Sequence, residues 1–544
     1  MKPESVDNHA TGANRGNRDA VQGARDAVRS FQTRSEQRIS PDNCQQTLNQ
    51  LAYFVWIATL NTLLGISYLP LAEAASLDEK DKKIQILEQR LLLLEKRSDA
   101  QAASISPSKQ LEAEDKTKTS PEFEVSPKGV SFTSADGDNS VRLRASIQGD
   151  GRFFADDNRN LKGVNEGFLT NRFELKQARI WLEGRFGRYN DFKLMPDFGA
   201  NGTILADAYV DLHYFHFASL SVGKQKTPIS LERLQGDSDG TFLERAYPTY
   251  LSSNRDIGVK LHGSFAAPGD RYVYASPVDF KNFLTYEVGI FNGGGDNGAN
   301  DADKENEDNK EVAGRLWLHP FKNKGIAALE GLGIGIAGSW ETPRKNAMAV
   351  KALKSALGQN TLVDYTKVVS TAVIDSKTNL PFAVQANGEH YRIYPQAYWY
   401  YGPYGLLGEY VLSSQKLTGD GGKTAIQQSN TAWQIQASYV LTGEDNTFQG
   451  VKPKTLFDPL NGTWGALQIA GRWSELSIDQ ETFKLLDPQV SIAGARSWTV
   501  GANWFLNQNV RLMADYEHTH FSGGAASGNR PTEKAFATRL QLVF

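Results

Sequence analysis

The stretch Gln177-Ala-Arg-Ile-Trp-Leu-Glu-Gly-Arg-Phe186 sets Arg179, Glu183 and Arg185 on one side of an extended chain, with apolar residues between them. A period of two is the signature of a strand with one apolar and one polar face. The same alternation runs through Val141-Arg-Leu-Arg-Ala-Ser-Ile-Gln148, where Arg142, Arg144, Ser146 and Gln148 share a face, and through Asp207-Ala-Tyr-Val-Asp-Leu-His213. In a soluble sandwich such apolar faces point inward. In a membrane barrel they point to lipid, and the polar faces line water.

Counting separates the two. About sixteen strands can be placed, near 141–154, 173–187, 189–198, 203–215, 217–226, 256–266, 284–292, 312–320, 331–341, 391–402, 404–413, 431–441, 464–474, 496–506, 508–519 and 533–544. An even number of strands, each roughly ten residues long, is what an outer-membrane barrel requires. With the first strand starting at the periplasm, the short turns Gly187–Tyr189, Gly402-Pro403 and Asn507-Gln508-Asn509 all fall on the periplasmic side. The long charged connections 155–172, 227–255, 293–311, 342–390, 475–495 and 520–532 all fall outside. Connections near 267–283 and 442–463 are too long for periplasmic turns, so one of them is a place for a misassigned strand. The chain ends Arg539-Leu-Gln-Leu-Val-Phe544, an alternating strand with a terminal aromatic, as suits the strand that closes a barrel and is read by the assembly machinery. Tyr398, Trp399, Tyr400, Tyr401, Tyr404, Trp498, Trp504 and Phe505 gather at strand ends, where interfacial girdles sit.

The fold class expected is therefore all-β, a 16-stranded antiparallel transmembrane β-barrel over residues 128–544, preceded by a short coiled-coil helix. A mean hydropathy of −0.45 excludes a polytopic helical membrane protein but not a barrel, whose strands hide their lipid-facing residues at alternate positions. A net charge of −3 gives no reason to expect a nucleic-acid partner. Residues 1–50 are polar and aperiodic, as in a disordered extension. Residues 51–75 hold the one long apolar run, which ends in Ala72-Glu-Ala74-Ala75; a spanning helix competes, but Asn61, Gly65, Pro70 and the small-x-small end favour a signal peptide. Its distance from Met1 puts the expected translation start downstream. Its removal, together with the extension, would take away Cys44 and leave no thiol. Residues 76–97 place Leu77, Ile84, Leu87, Leu91 and Leu94 on a and d positions, a coiled coil too short to hold alone; a lone amphipathic helix is the competing reading. Residues 98–127 read as a linker.

One stretch fits neither strand nor turn. Between the strand patterns that open and close Phe217–Gly263 lie about thirty residues with Pro228, Gly236, Gly240 and Pro248. An ordered domain carries so long a polar loop for function. It is expected to fold into the lumen and set what passes.

In order, the segments Lys128-GVSFTSADGDNSVRLRASIQ, Ala178-RIWLEGRF, Asp191-FKLMPDFG, Gly223-KQKTPISLERL, Phe242-LERAYP, Asn254-RDIGVKLHG, Tyr391-RIYPQAYWYYGPYGLLGEYVLS, Trp433-QIQASYVLTGE, Trp464-GALQIAGRW, Trp498-TVGANWFLN and Arg539-LQLVF cover essentially everything after residue 128. In this order they resemble the phosphate-selective porin O and P family. The resemblance implies a 16-stranded outer-membrane channel, homotrimeric, narrowed by its third extracellular loop, which is the long loop above. A short coiled coil suits a trimer, because the barrel supplies the local concentration it needs.

Channels select anions with cationic donors at a constriction of reduced dielectric, and Arg can offer an oxyanion two bonds at once. Strand parity puts Arg142, Arg144, Arg152, Arg179, Arg185 and Lys193 on the water-filled face, while Lys224, Lys226, Arg233, Arg245 and Arg255 belong to the loop or its hinges. The competing role for each is to pair with a carboxylate and hold wall or loop. From Thr227 to Arg255 three cations face four acids, Glu232, Asp237, Asp239 and Glu244, and Lys224 and Lys226 bring the site only to about balance. The expected function is passive diffusion of small anionic solutes such as phosphate; the alternative is a general or other-solute porin. Expected partners are those solutes, outer-membrane lipid, further copies in a homotrimer and a periplasmic or cell-wall contact through the coiled coil. No cofactor, metal or catalytic residue is expected. The rival enzyme reading lacks a Gly-x-Ser-x-Gly elbow, and the pair His518-Thr-His520 lacks a third ligand of matching placement.

Overall fold

Outside the sheet the side chains are apolar, and inside it they are charged. Val288, Ile290, Val312, Leu316, Ile334 and Ile336 are all exposed, whereas Glu287, Glu311 and Arg315 on the alternate face of the same strands are buried. This inverts a soluble protein and needs a hydrocarbon solvent around it. The buried charges are matched: Lys260 Nζ lies 2.8 Å from Glu287, and Arg392 Nη1 2.7 Å from Glu311. Pairing of this kind is what makes burying charge tolerable.

The computed structural model describes residues 120–155, 170–199, 204–267, 282–293, 310–343, 350–369, 374–376 and 380–544. A hairpin, β1 (Glu122–Ser126) and β2 (Gly129–Thr133), leads into sixteen barrel strands. These are β3 (Ser140–Phe154), β4 (Arg172–Phe186), β5 (Asn190–Asp197), β6 (Ile204–Phe215), β7 (Ala218–Lys226), β8 (Arg255–Phe265), β9 (Leu284–Phe291) and β10 (Glu311–Leu318). They continue with β11 (Leu332–Glu341), β12 (Gln385–Tyr401), β13 (Tyr404–Gly419), β14 (Thr424–Val440), β15 (Ala466–Ser477), β16 (Ile492–Phe505), β17 (Val510–Ala525) and β18 (Glu533–Val543). Each pairs antiparallel with the next, and β18 returns to β3, with Ala535 opposite Phe154 and Val543 opposite Ser146. Phe544 exchanges both main-chain hydrogen bonds with Ala145, at 2.7 and 3.0 Å, so the terminal aromatic completes the closure.

Every strand expected from period-two alternation is present. Three differences have physical reasons. Residues 414–430 were not expected as strand, yet β13 and β14 pair through them to the turn Asp420–Gly422. Ser413-Ser-Gln-Lys and Gln427-Gln-Ser-Asn are polar on both faces, as suits a wall that stands in water above the membrane, so no hydrophobic period marks them. Residues 122–126, expected within the linker 98–127, form β1, which pairs with β2 as β2 pairs with the start of β3. The connection 442–463 hides no barrel strand; it holds only a two-residue ladder, Phe457–Asp458 against Thr463–Trp464. Instead it folds up into the lumen, where the Phe448 ring stacks on Tyr398 at 5.3 Å. Residues 1–119, with the expected extension, signal peptide and coiled coil, lie outside the described residues, as do 268–281.

The aromatic girdle is likewise only half as expected. Trp399 and Tyr401 stack on each other and Tyr404 packs at a tilt against Tyr439 at the outer face, but Tyr398 is buried against Trp317 in the lumen, and Phe505 is buried beneath Arg511. A run of consecutive aromatics on a strand must alternate between the two faces.

The lumen is far from empty. Ile229, Tyr247 and Leu251 from the connection 227–254 pack with Leu353 and Leu362 from the external connection between β11 and β12 and with Leu485 and Leu486 from the one before β16. Trp317, fully buried, lies on Gly333 and Gly335 of β11, where any Cβ would collide with its indole. Gly335→Val should therefore overpack this corner and cost about 1–3 kcal/mol. The expected readout is a lower temperature for the loss of the folded barrel's heat-modifiable gel mobility; an unshifted temperature would mean that the indole has room to move.

A clamped lumenal constriction

The connection 227–254, hereafter L3, crosses the lumen with no strand beside it, so its main-chain polar groups need partners from the wall. The wall supplies them as side chains. Ser230 caps the single turn α1 (Leu231–Leu234), accepting from Arg233 N at 3.4 Å. Glu409 on β13 accepts from Leu231 N at 2.9 Å, and Asp515 on β17 from Leu243 N at 2.7 Å. L3 carbonyls are met in turn: Arg511 donates to Gly240 O at 2.8 Å, Asn503 to Thr241 O at 2.9 Å, Arg472 to Glu244 O at 2.8 Å, and the Tyr394 hydroxyl to Leu251 O at 2.6 Å. Each bond is worth about 1 kcal/mol net, and leaving such a group buried without a partner costs about 1–3 kcal/mol. Several in one loop fix its position.

These bonds present the tip Gly236-Asp237-Ser238-Asp239-Gly240 to the wall formed by β3 to β8. A Cβ at Gly236 would occupy the place of the Asp239 carboxylate, so glycine there lets Asp239 curl back and leaves Asp237 foremost. Asp237 receives Arg179 from β4 and Arg245 from L3, with Arg255 Nη2 from β8 at 3.5 Å. Arg179 Nε also meets Asp197 at 2.7 Å, Arg255 Nε meets Asp207 at 2.6 Å, and Lys193 stands 3.3 Å from Asp207. Lys226 Nζ donates to Gln235 O at 2.9 Å. Burial alone would push Asp237 up; Arg179 and Arg245, then Lys226 and Arg255, overcome it and hold the carboxyl well below the usual range. Glu244 is treated likewise, burial being outweighed by Lys176 and Arg152. At Asp239, two residues away, burial prevails over Arg511 and raises the carboxyl.

Cavities lie on both sides of the tip. The inner one, about 250 Å³, is lined by six cations, Arg144, Arg179, Lys193, Lys226, Arg255 and Lys260, against the three acids Asp207, Asp237 and Asp239. The outer one, about 110 Å³, is lined by Lys176, Arg179, Arg245 and Arg539 against Glu232, Asp237 and Glu244. Arg179 and Asp237 line both, so their ion pair stands between the two.

Of the eleven candidates, Arg144, Arg179, Lys193, Lys226, Arg245 and Arg255 line one or both cavities. Arg144 lies over Trp181, 5.2 Å from the ring centroid, and 3.6 Å from Glu183. The other five stand elsewhere. Arg142 and Arg185 lie farther down, at a recess of the periplasmic mouth, Arg185 held by Asp191 at 2.6 Å. Arg152 is fully buried toward the outside, paired with Glu174, Asp150 and Glu244. Lys224 is buried in β7 and lines neither cavity. Arg233 holds L3 to itself through Ser252 Oγ at 2.9 Å and Thr249 O at 3.1 Å, and burial pushes it down to about 10.

Three lining cations escaped the sequence reading. Lys260 and Arg539 follow the period of their strands and could have been found by it. Lys176 could not, because a bulge opposite Gln148 and Gly149 shifts the parity of β4 and turns both Lys176 and Gln177 inward. His518 and His520 pack edge to face at 4.5 Å, with His518 stacked on Trp498. Among the described residues no group of three His, Cys, Asp or Glu could hold a metal ion.

A closed sixteen-stranded barrel, apolar outside, with a charged lumen narrowed by an inward loop, defines a bacterial outer-membrane barrel of the porin class. Residues 147–544 match the model of the family described as phosphate-selective porin O and P, and the chain belongs to that family. Porin O of Pseudomonas aeruginosa is 25% identical over 150 residues, a match that spans 27% of this chain and 33% of that protein. Among solved structures, OmpF of Salmonella typhi in complex with daunomycin aligns with a TM-score of 0.45 at 12% identity, over 78% of this chain and 100% of that one. The outer membrane channel DcaP of Acinetobacter baumannii aligns at 0.44 and 10% identity, over 76% and 99%.

Because Asp237 and Glu244 are held below their ordinary values, their ion pairs stabilise the closed loop fully above the ordinary carboxylate range and lose that effect as pH falls through the depressed values. Thiol-reagent labelling of a Ser238→Cys variant, which reads the position of the tip and not the charge of the cavity, should thus stay at its closed-loop rate from neutral pH down to about pH 4 and rise only below it. A loosening already complete near pH 5 would show that these pairs do not hold the tip.

Proposed function

We propose that this porin prefers small anions and that the preference arises at the L3 tip and the facing wall together. The observation that carries the reading is the excess of cations over acids in the inner cavity, six against three, beside the L3 tip. In a partly desolvated site each net charge acts more strongly than in bulk water, so an excess of three is enough to bias permeation. Phosphate is among the permeant solutes in this reading without being tightly selected, since nearly all of these cations already face a carboxylate or a carbonyl. That same pairing favours the second reading, a general porin.

Reversal potential in a KCl gradient across a planar bilayer decides between the two. The expected value lies toward the chloride equilibrium potential; a value toward potassium overturns the anion reading, and absence of conductance overturns the channel itself. Replacing both Arg142 and Arg144 by Glu should move the reversal potential toward potassium, because both stand on the inner approach. An unchanged potential would place the route elsewhere in the lumen.

The assembly proposed is a homotrimer in the outer membrane, with residues 76–97 as a periplasmic coiled coil that the barrels bring together. Deleting 77–97 should leave conducting trimers on a native gel, since so short a heptad run adds little to an interface the barrels supply. Loss of trimers would show that the helix drives assembly.

A further inference from the structure

The geometry points to Asp237 as a tethered stand-in for the permeating oxyanion: its carboxylate occupies an anion site built by Arg179, Arg245 and Arg255, and must leave before a free oxyanion can be held there. This rests on the anion reading above and adds what limits it.

One carboxylate has two oxygens and is well served by a single guanidinium. Here three guanidiniums converge on it, from the barrel wall (Arg179), from L3 itself (Arg245) and from the hinge strand (Arg255). Two of the three already have a carboxylate of their own, Asp197 for Arg179 and Asp207 for Arg255. The two wall arginines would therefore keep a carboxylate without Asp237, and only Arg245 would lose its own. Lys226 stands beside the same cluster and spends a hydrogen bond on the Gln235 carbonyl. A planar carboxylate and a tetrahedral oxyanion such as phosphate present the same kind of acceptor to an Arg fork.

The carboxylate is also placed to move. It sits between Gly236 and Gly240, on a tip whose side chain faces both cavities. The tip's main-chain anchors lie to either side of Asp237: Gln235 donates to Phe448 O at 2.8 Å, Gln541 to Ser238 O at 3.0 Å and Arg511 to Gly240 O at 2.8 Å. The Asp237 carbonyl itself takes only a 3.4 Å bond from Gln148. A tethered group competes at an effective concentration near the millimolar range or above, so it masks the site from solutes that bind more weakly than that. The loop's near balance of charge, which argues against a tight phosphate filter, is then the result of an internal competitor and not of a missing site.

Single-channel recording of Asp237→Asn, with inorganic phosphate as the probe against chloride current, tests this. The variant should conduct chloride better than the wild type, and phosphate should block it at a concentration roughly tenfold lower or less. Asp237→Glu, which keeps the competitor, should behave as the wild type, and Asp239→Asn, which removes a cavity acid outside the three-arginine clamp, should alter chloride conductance through the cavity's charge while leaving phosphate block at its wild-type concentration. An Asp237→Asn channel with unchanged phosphate block, or a matching change in Asp239→Asn, overturns the proposal. If Asp237→Asn does not reach the folded, heat-modifiable form, the double variant Asp237→Asn/Arg245→Gln restores the charge count and leaves two guanidiniums at the site; phosphate block no stronger than in the wild type then overturns it. Cation preference in the wild type would sink the anion reading on its own, whereas anion preference with unchanged block in the variant sinks only the role given to Asp237.

Discussion

A chain that crosses a barrel without a neighbouring strand must still satisfy its peptide groups, and this constraint shapes the lumen. Glu409 and Asp515 take amide protons of L3, while Arg472, Asn503, Arg511 and Tyr394 donate to its carbonyls. These side chains come from β12, β13, β15, β16 and β17, five of the sixteen barrel strands, so one side of the wall is committed to holding the loop. The loop is thereby pressed toward the opposite side. Many of the lumen's charges are hydrogen-bonded to the main chain, and fewer face a solute.

The two sides of the barrel consequently do different work. Toward β12–β17 the outer lumen is filled by an apolar cluster drawn from three external connections, with Ile229, Tyr247 and Leu251 of L3 at its centre. Toward β3–β8 the lining is charged and the cavities are open, on both sides of Asp237. The passage is thus placed to one side, against the strands whose Arg and Lys residues alternate most clearly. The connection before β15 narrows it from below, with Phe448 packed on Tyr398 and its carbonyl held by Gln235 of L3.

Ion pairs in this lumen serve as both scaffold and filter, and burial decides which. Arg152 has almost no exposed surface and three carboxylate neighbours, so losing it would strand buried acids. Arg144 keeps about a third of its side chain exposed and has a single carboxylate at 3.6 Å, leaving it a field to offer a solute. Asp237 lies between these cases, ion-paired to three arginines at a surface shared by two cavities.

The sequence by itself determined the barrel. Period two, an even strand count and the alternation of short and long connections all follow from one physical fact: a membrane wall must be apolar on every second residue. The same rule found Arg144, Arg179 and Lys193, and it held Lys260 and Arg539 for anyone who applied it to β8 and β18. It failed where the solvent outside is water, as in residues 414–430, and where a bulge breaks the period, as at Lys176. What the tertiary structure alone decided is which charges meet. Asp237 and Arg179 lie fifty-eight residues apart, and Leu243 and Asp515 two hundred and seventy-two. A local pattern says which face a side chain takes, but only the path of L3 across the lumen says what stands opposite it.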